Sequence, residues 1–419
     1  MEKQENKIKT EKERSHTLYD LAWKRFKRNK LAVISVYVIV SVVLIAILGP
    51  FIRPDSSPKA NKQHLEITLK PPGFEVLMIR INKNDRPNQQ SFFEKLLWGI
   101  EPDYTEMPIY SYRFVGTKIQ VEKYTGKNPN NGAWLEFDLP DVVYHLKPGS
   151  PIVQNGLMLE FTTYDGEKHK EDFELLKKKI LENHIINQKF YFGTDLYGRD
   201  FLSRMMSGAW ISLSVGFISV IISIVIGIFL GAVAGYVKGW VDDVIMWLIN
   251  VVWSVPTLLF IIAITLVIGK DFWQVFVAVG LTMWVEVARV VRGQVLSIRE
   301  KEFVEAGKAL GYNDVRILFR HILPNVMGPV IVISAANFAS AILIEAGLSF
   351  LGLGAAPPQA TWGKIISEHR GYMFSGAGTE YLTIIPGLAI MILVLAFIFI
   401  GNGLRDALDA KASQKFSSA

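Results

Sequence analysis

The sequence predicts an all-α polytopic membrane protein of six transmembrane helices, interrupted by an inserted extracytoplasmic α+β domain. Three observations carry that prediction. Six stretches of the 419 residues hold few or no charges, and between the first two of them the 138 residues 53–190 are polar and rich in lysine. The mean hydropathy is nevertheless +0.26, so the chain outside that polar block is strongly apolar. The basic residues gather beside the ends of alternate apolar stretches, as they do where positive charge is held on one side of a bilayer. The chain has no cysteine, which excludes disulfide staples, thiolate metal sites and thiol catalysis. Its net charge of +6 points to basic loops beside a membrane rather than to nucleic acid.

A bilayer core of about 30 Å needs about 20 apolar helical residues. Uncharged runs of 22, 33, 26, 23 and 24 residues lie at Leu31–Ile52, Met205–Val237, Val244–Gly269, Ile322–Ile344 and Tyr381–Leu404. A sixth run, Phe272–Val285, has only 14 residues and ends at Glu286. Charge asymmetry makes it a span. Lys24, Arg25, Lys27, Arg28 and Lys30 place the N-terminus in the cytoplasm. With six spans, Arg289 to Arg320, carrying seven Lys/Arg, is cytoplasmic too, and so is the C-terminus with Arg405, Lys411 and Lys415. The first run follows thirty hydrophilic residues and ends Gly49-Pro50-Phe51-Ile52-Arg53, which reads as a retained anchor rather than a cleaved signal.

Arg53 to Phe190 is then extracytoplasmic. Alternating runs predict strands at Leu65–Lys70, Phe74–Ile81, Tyr112–Tyr124, Trp134–Leu139 and Gly156–Thr163. Phe173, Leu176, Ile180 and Leu181 follow at near-helical spacing. His64, His145, His169 and His184 are scattered without ligand spacing, so no metal site is expected. A folded docking or shielding domain fits this segment.

Within the second span Gly208, Ser212, Gly216, Ser219, Ser223, Gly227, Gly231 and Gly235 recur every three or four residues and draw one stripe along a helix face. Small residues let helix backbones approach closely in lipid, so the stripe is expected to pack within the chain, with a partner-subunit contact as the alternative. Charges at membrane depth are costly and mark candidate gating or pathway positions: Glu286, Arg289 and Glu345. Glu286 and Arg289 lie one turn apart and are expected to form an intrahelical pair, while Glu345 falls near the outer surface. Pro256 invites a kink in the third span. Gly347 to Trp362 is broken by Gly and Pro and reads as a loop against the outer mouth.

The most specific segment is Glu302–Asn325, EFVEAGKALGYNDVRILFRHILPN. It predicts a short amphipathic helix stopped by Gly311, a second turn capped by Asn313 or Asp314, and a fifth span opened by Pro324. A short helix joined rigidly to two spans can pass a push from a soluble protein into the membrane. Here the chain resembles the membrane-spanning permease subunits of bacterial ABC importers, whose signature is Glu-Ala-Ala, three residues, Gly, nine residues, Ile-x-Leu-Pro. Glu305, Ala306, Gly307, Gly311 and His321-Ile322-Leu323-Pro324 match it, with Gly307 in place of the second alanine and His321 in place of isoleucine. Phe192 to Arg204, Trp23 to Ala32, and Glu345 to Gly363 are similar to further segments of the peptide and nickel branch, in particular of the C component of oligopeptide permeases.

That resemblance implies the type I ABC importer fold, with Glu305, Ala306, Gly307, Lys308, Ala309, Leu310 and Gly311 as the coupling helix. It implies a multi-pass protein of the bacterial cytoplasmic membrane, which the uncharged runs divide into a cytoplasmic segment 1–30, a first span 31–52, the insertion 53–190, a five-helix core 191–404 with coupling segment 289–321, and a tail 405–419. The implied partners are a second permease in a heterodimer, two ATP-binding subunits, an extracellular substrate-binding protein, a peptide substrate and membrane lipid. No catalytic residue and no cofactor is expected in this chain. ATP and magnesium would sit on the ATPase subunits, since Gly371 to Gly376 is followed by Ala377 and is not a phosphate loop. Dipeptides or chelated nickel are alternative cargoes. A membrane-anchored ligand sensor is the alternative of another class. The resemblance says nothing of the insertion.

Overall fold

The computed structural model describes residues 18–408 apart from 87, 127, 270, 271 and 377. The first part of the predicted N-terminal segment and the tail bearing Lys411 and Lys415 lie outside the described residues. Helices α1 (Leu18–Arg28) and α2 (Lys30–Ile52) meet at Asn29, whose Oδ1 accepts from the Ala32 N–H at 3.2 Å. Then come β1 (Phe74–Asn82), α3 (Phe92–Trp98), β2 (Tyr104–Val115), β3 (Lys118–Lys123), β4 (Trp134–Asp138) and α4 (Leu139–Val143). They are followed by β5 (Val153–Asn155), β6 (Met158–Thr162), β7 (Lys168–Asp172), α5 (Phe173–Lys179) and β8 (Ile185–Phe190). The later chain is helical: α6 (Phe201–Val237), α7 (Gly239–Ser254), α8 (Thr257–Ile268), α9 (Phe272–Arg299) and α10 (Glu302–Ala309). The last elements are α11 (Asp314–Ile317), α12 (Leu323–Phe350), α13 (Trp362–His369) and α14 (Tyr381–Leu408).

Five helices are long and apolar enough to cross a membrane, and six if α7 and α8 form one broken span. The third apolar run is therefore not a straight helix. Its halves meet at 93° where Val255 and Pro256 interrupt the backbone ladder. The short fourth run belongs to the 28-residue α9, which continues through its charges. Among the spans, α9 has 72% of its most apolar window buried and α2 only 17%, so α9 is the most enclosed helix and α2 the least.

The chain divides into two compact units, one holding 18–41, 214–345 and 390–408 of the described residues, the other 42–213 and 346–389. In the first, the small-residue stripe of α6 lies on α9. A Cβ on Gly227 would stand 2.5 Å from Val287 Cβ, and one on Gly231 2.4 Å from the Ala288 carbonyl oxygen. Ser219 donates to the Phe276 carbonyl at 2.9 Å between the same helices. Gly280 of α9 returns the contact, with Ile222 Cβ 2.7 Å from where its own Cβ would be. The stripe is thus intrachain packing, as expected. Gly231→Ala should destabilise the purified protein by about 1–3 kcal/mol because backbone must move. Gly293→Ala, with open space around it, should instead gain up to about 1 kcal/mol of helix propensity. Opposite shifts in thermal midpoint check the pair.

In the second unit, β4-β3-β2-β1-β8 form an antiparallel sheet of five strands and β5-β6-β7 one of three. Alternate residues of the strands (Ile79, Ile109, Ile119, Val121, Leu159 and Phe161) enclose one apolar core with Leu139, Leu176 and Ile180 from the helical turns. Two strand expectations need correction. Leu65–Lys70 is not a strand: Leu65–Ile67 is a single 3₁₀ turn. Tyr112–Tyr124 is two strands of a hairpin, turned at Gly116 with φ +59°.

Two further expectations change at α12. Pro324 does not open the span, because helix runs from Asp314 to Phe350. A π-turn at Leu318–Ile322 just ahead of Pro324 shifts the carbonyl register and accommodates the missing N–H. Gly347 does not start the following loop either, since α12 continues to Phe350 and Gly352, at φ +79°, ends it.

Candidate functional site

The segment between α9 and α12 is built to hold one small surface in a fixed pose. Glu302 and Glu305 occupy the first turn of α10, where the helix dipole favours acid. Its end is a Schellman motif: Tyr312 N–H donates to the Gly307 carbonyl at 3.1 Å and Gly311 N–H to that of Lys308 at 2.9 Å. Gly311 sits at φ +75°, a conformation a side chain would strain. Asn313 then caps α11 by accepting from Arg316 N–H at 2.8 Å.

Val304 and Gly307 face inward, and Val304 joins Val287, Val291 and Val295 of α9, Ile317, Ile322, and Val326 of α12 in one buried cluster. Both roots of the segment are tied to the end of α6. Arg299 donates to the Tyr236 carbonyl, and the Tyr236 hydroxyl donates to Asp314 at 2.5 Å. Facing out are Phe303, Glu305, Ala306, Lys308, Ala309 and Leu310, joined by Val315 and Phe319. Phe303, Leu310, Val315 and Phe319 are 46%, 70%, 64% and 65% exposed, so the outward side of this segment is largely apolar.

The three candidate intramembrane charges do not form one site. Glu286 is exposed on α9, and no ion pair joins it to Arg289 among the described residues. Arg289 turns instead to α7, donating to Asn250 at 2.9 Å with its guanidinium 3.5 Å from the Trp253 ring centre. A cross-helix cation–π contact outweighs a neighbour on the same helix here. Glu345 is buried near the end of α12. Beside α9, a groove of about 590 Å³ runs between Val290 and Gln294, Pro329 and Val332 of α12, and Asn402 and Arg405 of α14.

Residues 192–204, the motif before α6, fold into a buried polar knot within the second unit. Asp195 accepts from the N–H groups of Tyr197 and Arg199 and pairs with the Arg199 guanidinium at 2.5 Å. Arg199 also reaches Glu368 of α13 at 2.8 Å and Asn61 at 3.3 Å. Arg204 donates to the carbonyls of Lys59 and Pro358. Gly198 has no room for a side chain, since a Cβ would lie 1.8 Å from the His64 carbonyl oxygen. Among the described residues no group of three or more His, Asp or Glu side chains is placed to hold a metal ion.

Comparison with known proteins decides what this architecture is. Residues 223–414 match the family model of the binding-protein-dependent transport system inner membrane component, and residues 17–72 that of the N-terminal transmembrane domain of oligopeptide transport permease C. The oligopeptide transport system permease protein OppC of Escherichia coli K12 is 45% identical over 221 residues, covering 53% of this chain and 72% of its own. This chain belongs to the permease family of binding-protein-dependent ABC importers. The dipeptide transport system permease protein DppC of Alkalihalophilus pseudofirmus is 42% identical over the same shares of both chains. A chain of the inward-facing MetNI methionine ABC transporter is similar over 50% of this permease and 97% of its own length, at 18% identity and a TM-score of 0.42.

Two features of the permease were missed from sequence. One is the Tyr236 clamp, for which a lone Tyr at the end of an apolar run gave no signal. The other is Asp242, which holds Arg292 of α9 through two bonds of 2.6 Å. The Gly307 departure is mild: a Cβ there would meet Tyr312 at an ordinary 3.5 Å. Gly307→Ala should therefore stabilise α10 by up to about 1 kcal/mol, seen as slower proteolysis of the segment.

Asp200 provides a pH test. Burial pushes its carboxyl up to about 6, against the lowering effect of its bonds from Ser203. A raised carboxylate destabilises the fold only where it is charged. The penalty is absent below the ordinary carboxyl range near 4, grows as pH rises, and is complete above about 6. Asp200→Asn keeps an acceptor for Ser203 without the charge. Its stability advantage over the parent should widen by about 2–3 kcal/mol between pH 4 and 7.5 in unfolding measurements.

Proposed function

We propose that this permease is the non-catalytic transmembrane subunit of an ATP-driven importer of oligopeptides. It forms half of the translocation pathway with a second permease, and two ATP-binding subunits carrying ATP and magnesium drive it from the cytoplasm. An extracellular substrate-binding protein delivers the peptide. The N- and C-termini and α10 face the cytoplasm, and residues 53–190 form an extracytoplasmic domain beside the outer mouth.

The observation that carries this reading is the outward face of α10 on its clamped connection. An apolar stripe of Phe303, Ala306 and Leu310 with Glu305 and Lys308 beside it suits a groove on a soluble ATPase. The clamp at Tyr236 would pass any displacement of α10 into α6, α9 and α12 together. The groove between α9, α12 and α14 supplies a face for the pathway. The likeness to an oligopeptide permease supports peptide as cargo, and the dipeptide relative keeps shorter peptides as a second reading.

The native chain has no cysteine, so Leu310→Cys is a unique attachment point. A photo-crosslinker there should capture the co-expressed ATPase subunit, whereas one at Val153→Cys should not. No adduct from position 310 in an intact complex would remove α10 from the coupling role.

A further inference from the structure

Helix α3 lies on the surface of the second unit. It has seven residues, FFEKLLW, and none of them is buried. Phe92, Phe93, Leu97 and Trp98 are 63%, 72%, 47% and 58% exposed. The helix is nevertheless carefully built. Ser91 and Glu94 form a complete capping box, with Glu94 N–H donating to the Ser91 hydroxyl and Ser91 N–H to the Glu94 carboxylate at 2.7 Å. A well-specified helix that displays its apolar residues has a partner outside the chain.

Its position names that partner. The Phe92 ring stacks on Phe51 of α2, with centroids 5.7 Å apart and 17° between planes. Directly after α3, Ile100 N–H donates to the Ser56 carbonyl at 2.8 Å, and Gly99 lies tight against the Arg53 guanidinium. Both ends of α3 are thereby fixed to the point where α2 stops. Phe51 and Ile52 close the uncharged run of a helix that spans the membrane, and Arg53 is the first charge beyond it. That transition marks the edge of the hydrocarbon core. Leu48, Phe51 and Ile52 are themselves exposed, so the apolar surface of α2 continues without a break onto α3.

We propose that α3 is an interfacial anchor whose Phe92, Phe93, Leu97 and Trp98 side chains lie in the headgroup–acyl boundary of the bilayer beside the end of α2. Trp98 suits that boundary because its indole ring is apolar and its N–H is polar, and Phe92, Phe93 and Leu97 supply the apolar face that an interfacial helix buries. The anchor fixes the depth and tilt at which the 53–190 segment leaves the membrane.

Single nitroxide labels at Phe93→Cys, Leu97→Cys and Val153→Cys, in the full chain reconstituted in phosphatidylcholine–phosphatidylglycerol nanodiscs, test this. Accessibility to molecular oxygen and to a neutral water-soluble nickel chelate is read at each site. The oxygen-to-nickel ratio should be several-fold higher at positions 93 and 97 than at 153, which lies on β5. A ratio matching that of position 153 would overturn the proposal in favour of a solvated helix. Low accessibility to both reagents would overturn it in favour of a covering protein.

Discussion

Glu305→Lys and Gly311→Pro should each reduce peptide uptake to background while leaving the permease in the membrane. Glu305 is exposed, so reversing its charge costs little folding energy. Its effect is expected at the proposed docking partner of α10, where the reversed charge meets a like charge or goes unpaired. Gly311 acts differently. Proline cannot adopt φ +75° and cannot give the N–H that Gly311 donates to Lys308, so the Schellman end of α10 dissolves. The surface remains chemically intact but loses its pose. Glu305→Lys should lower both ATPase binding and uptake, whereas Gly311→Pro should leave ATP hydrolysis running without transport. Normal uptake in both variants would end the coupling assignment.

Arg199→Ala should cost about 3–5 kcal/mol, the largest stability loss we expect from a single truncation. The guanidinium is almost fully buried between Asp195 and Glu368, at 2.5 and 2.8 Å. Its removal strands two carboxylates where water reaches neither well, and it releases Asn61 as well. Neutralising those partners in Arg199→Met/Asp195→Asn/Glu368→Gln should recover most of the loss, since the cost lies in the uncompensated charges and not in the missing methylenes. Thermal unfolding of the purified proteins checks both. A change below about 0.5 kcal/mol in Arg199→Ala would mean the pair is solvated and contributes nothing.

Much of the fold was legible because lipid enforces simple rules. Uncharged runs became helices, since a spanning backbone must satisfy its own hydrogen bonds. Counting charge-free residues left α9 undecided, because its uncharged run stops at Glu286 whereas the helix continues to Arg299, past Arg289 and past Arg292, which pairs with Asp242 of α7. Pro256 announced a break, yet its angle of 93° is set by packing of α7 and α8 that no local pattern encodes. In the second unit β2 was hidden by Pro108 and Glu106. That carboxylate is held below its ordinary range despite burial, because Lys62 and Arg80 both bind it at 2.8 Å. An inward charge breaks alternation, and its partners are 44 and 26 residues away.

The coupling segment was the most legible part of the site, since caps and stops act over a few residues. Its clamp was not, because Tyr236 lies 78 residues from Asp314. The same holds for the knot around Arg199, whose motif is local and whose partners Asn61 and Glu368 are not.

Peptide should cross the membrane through this permease under the control of ATP bound on a partner subunit. Uptake of labelled peptides of graded length into proteoliposomes holding the whole complex, with binding protein on the side of residues 53–190, measures it directly. Uptake should require ATP at the face bearing α10, require the binding protein, and vanish in Glu305→Lys. Uptake indifferent to ATP, or no uptake of any peptide by a complex that hydrolyses ATP, would contradict it.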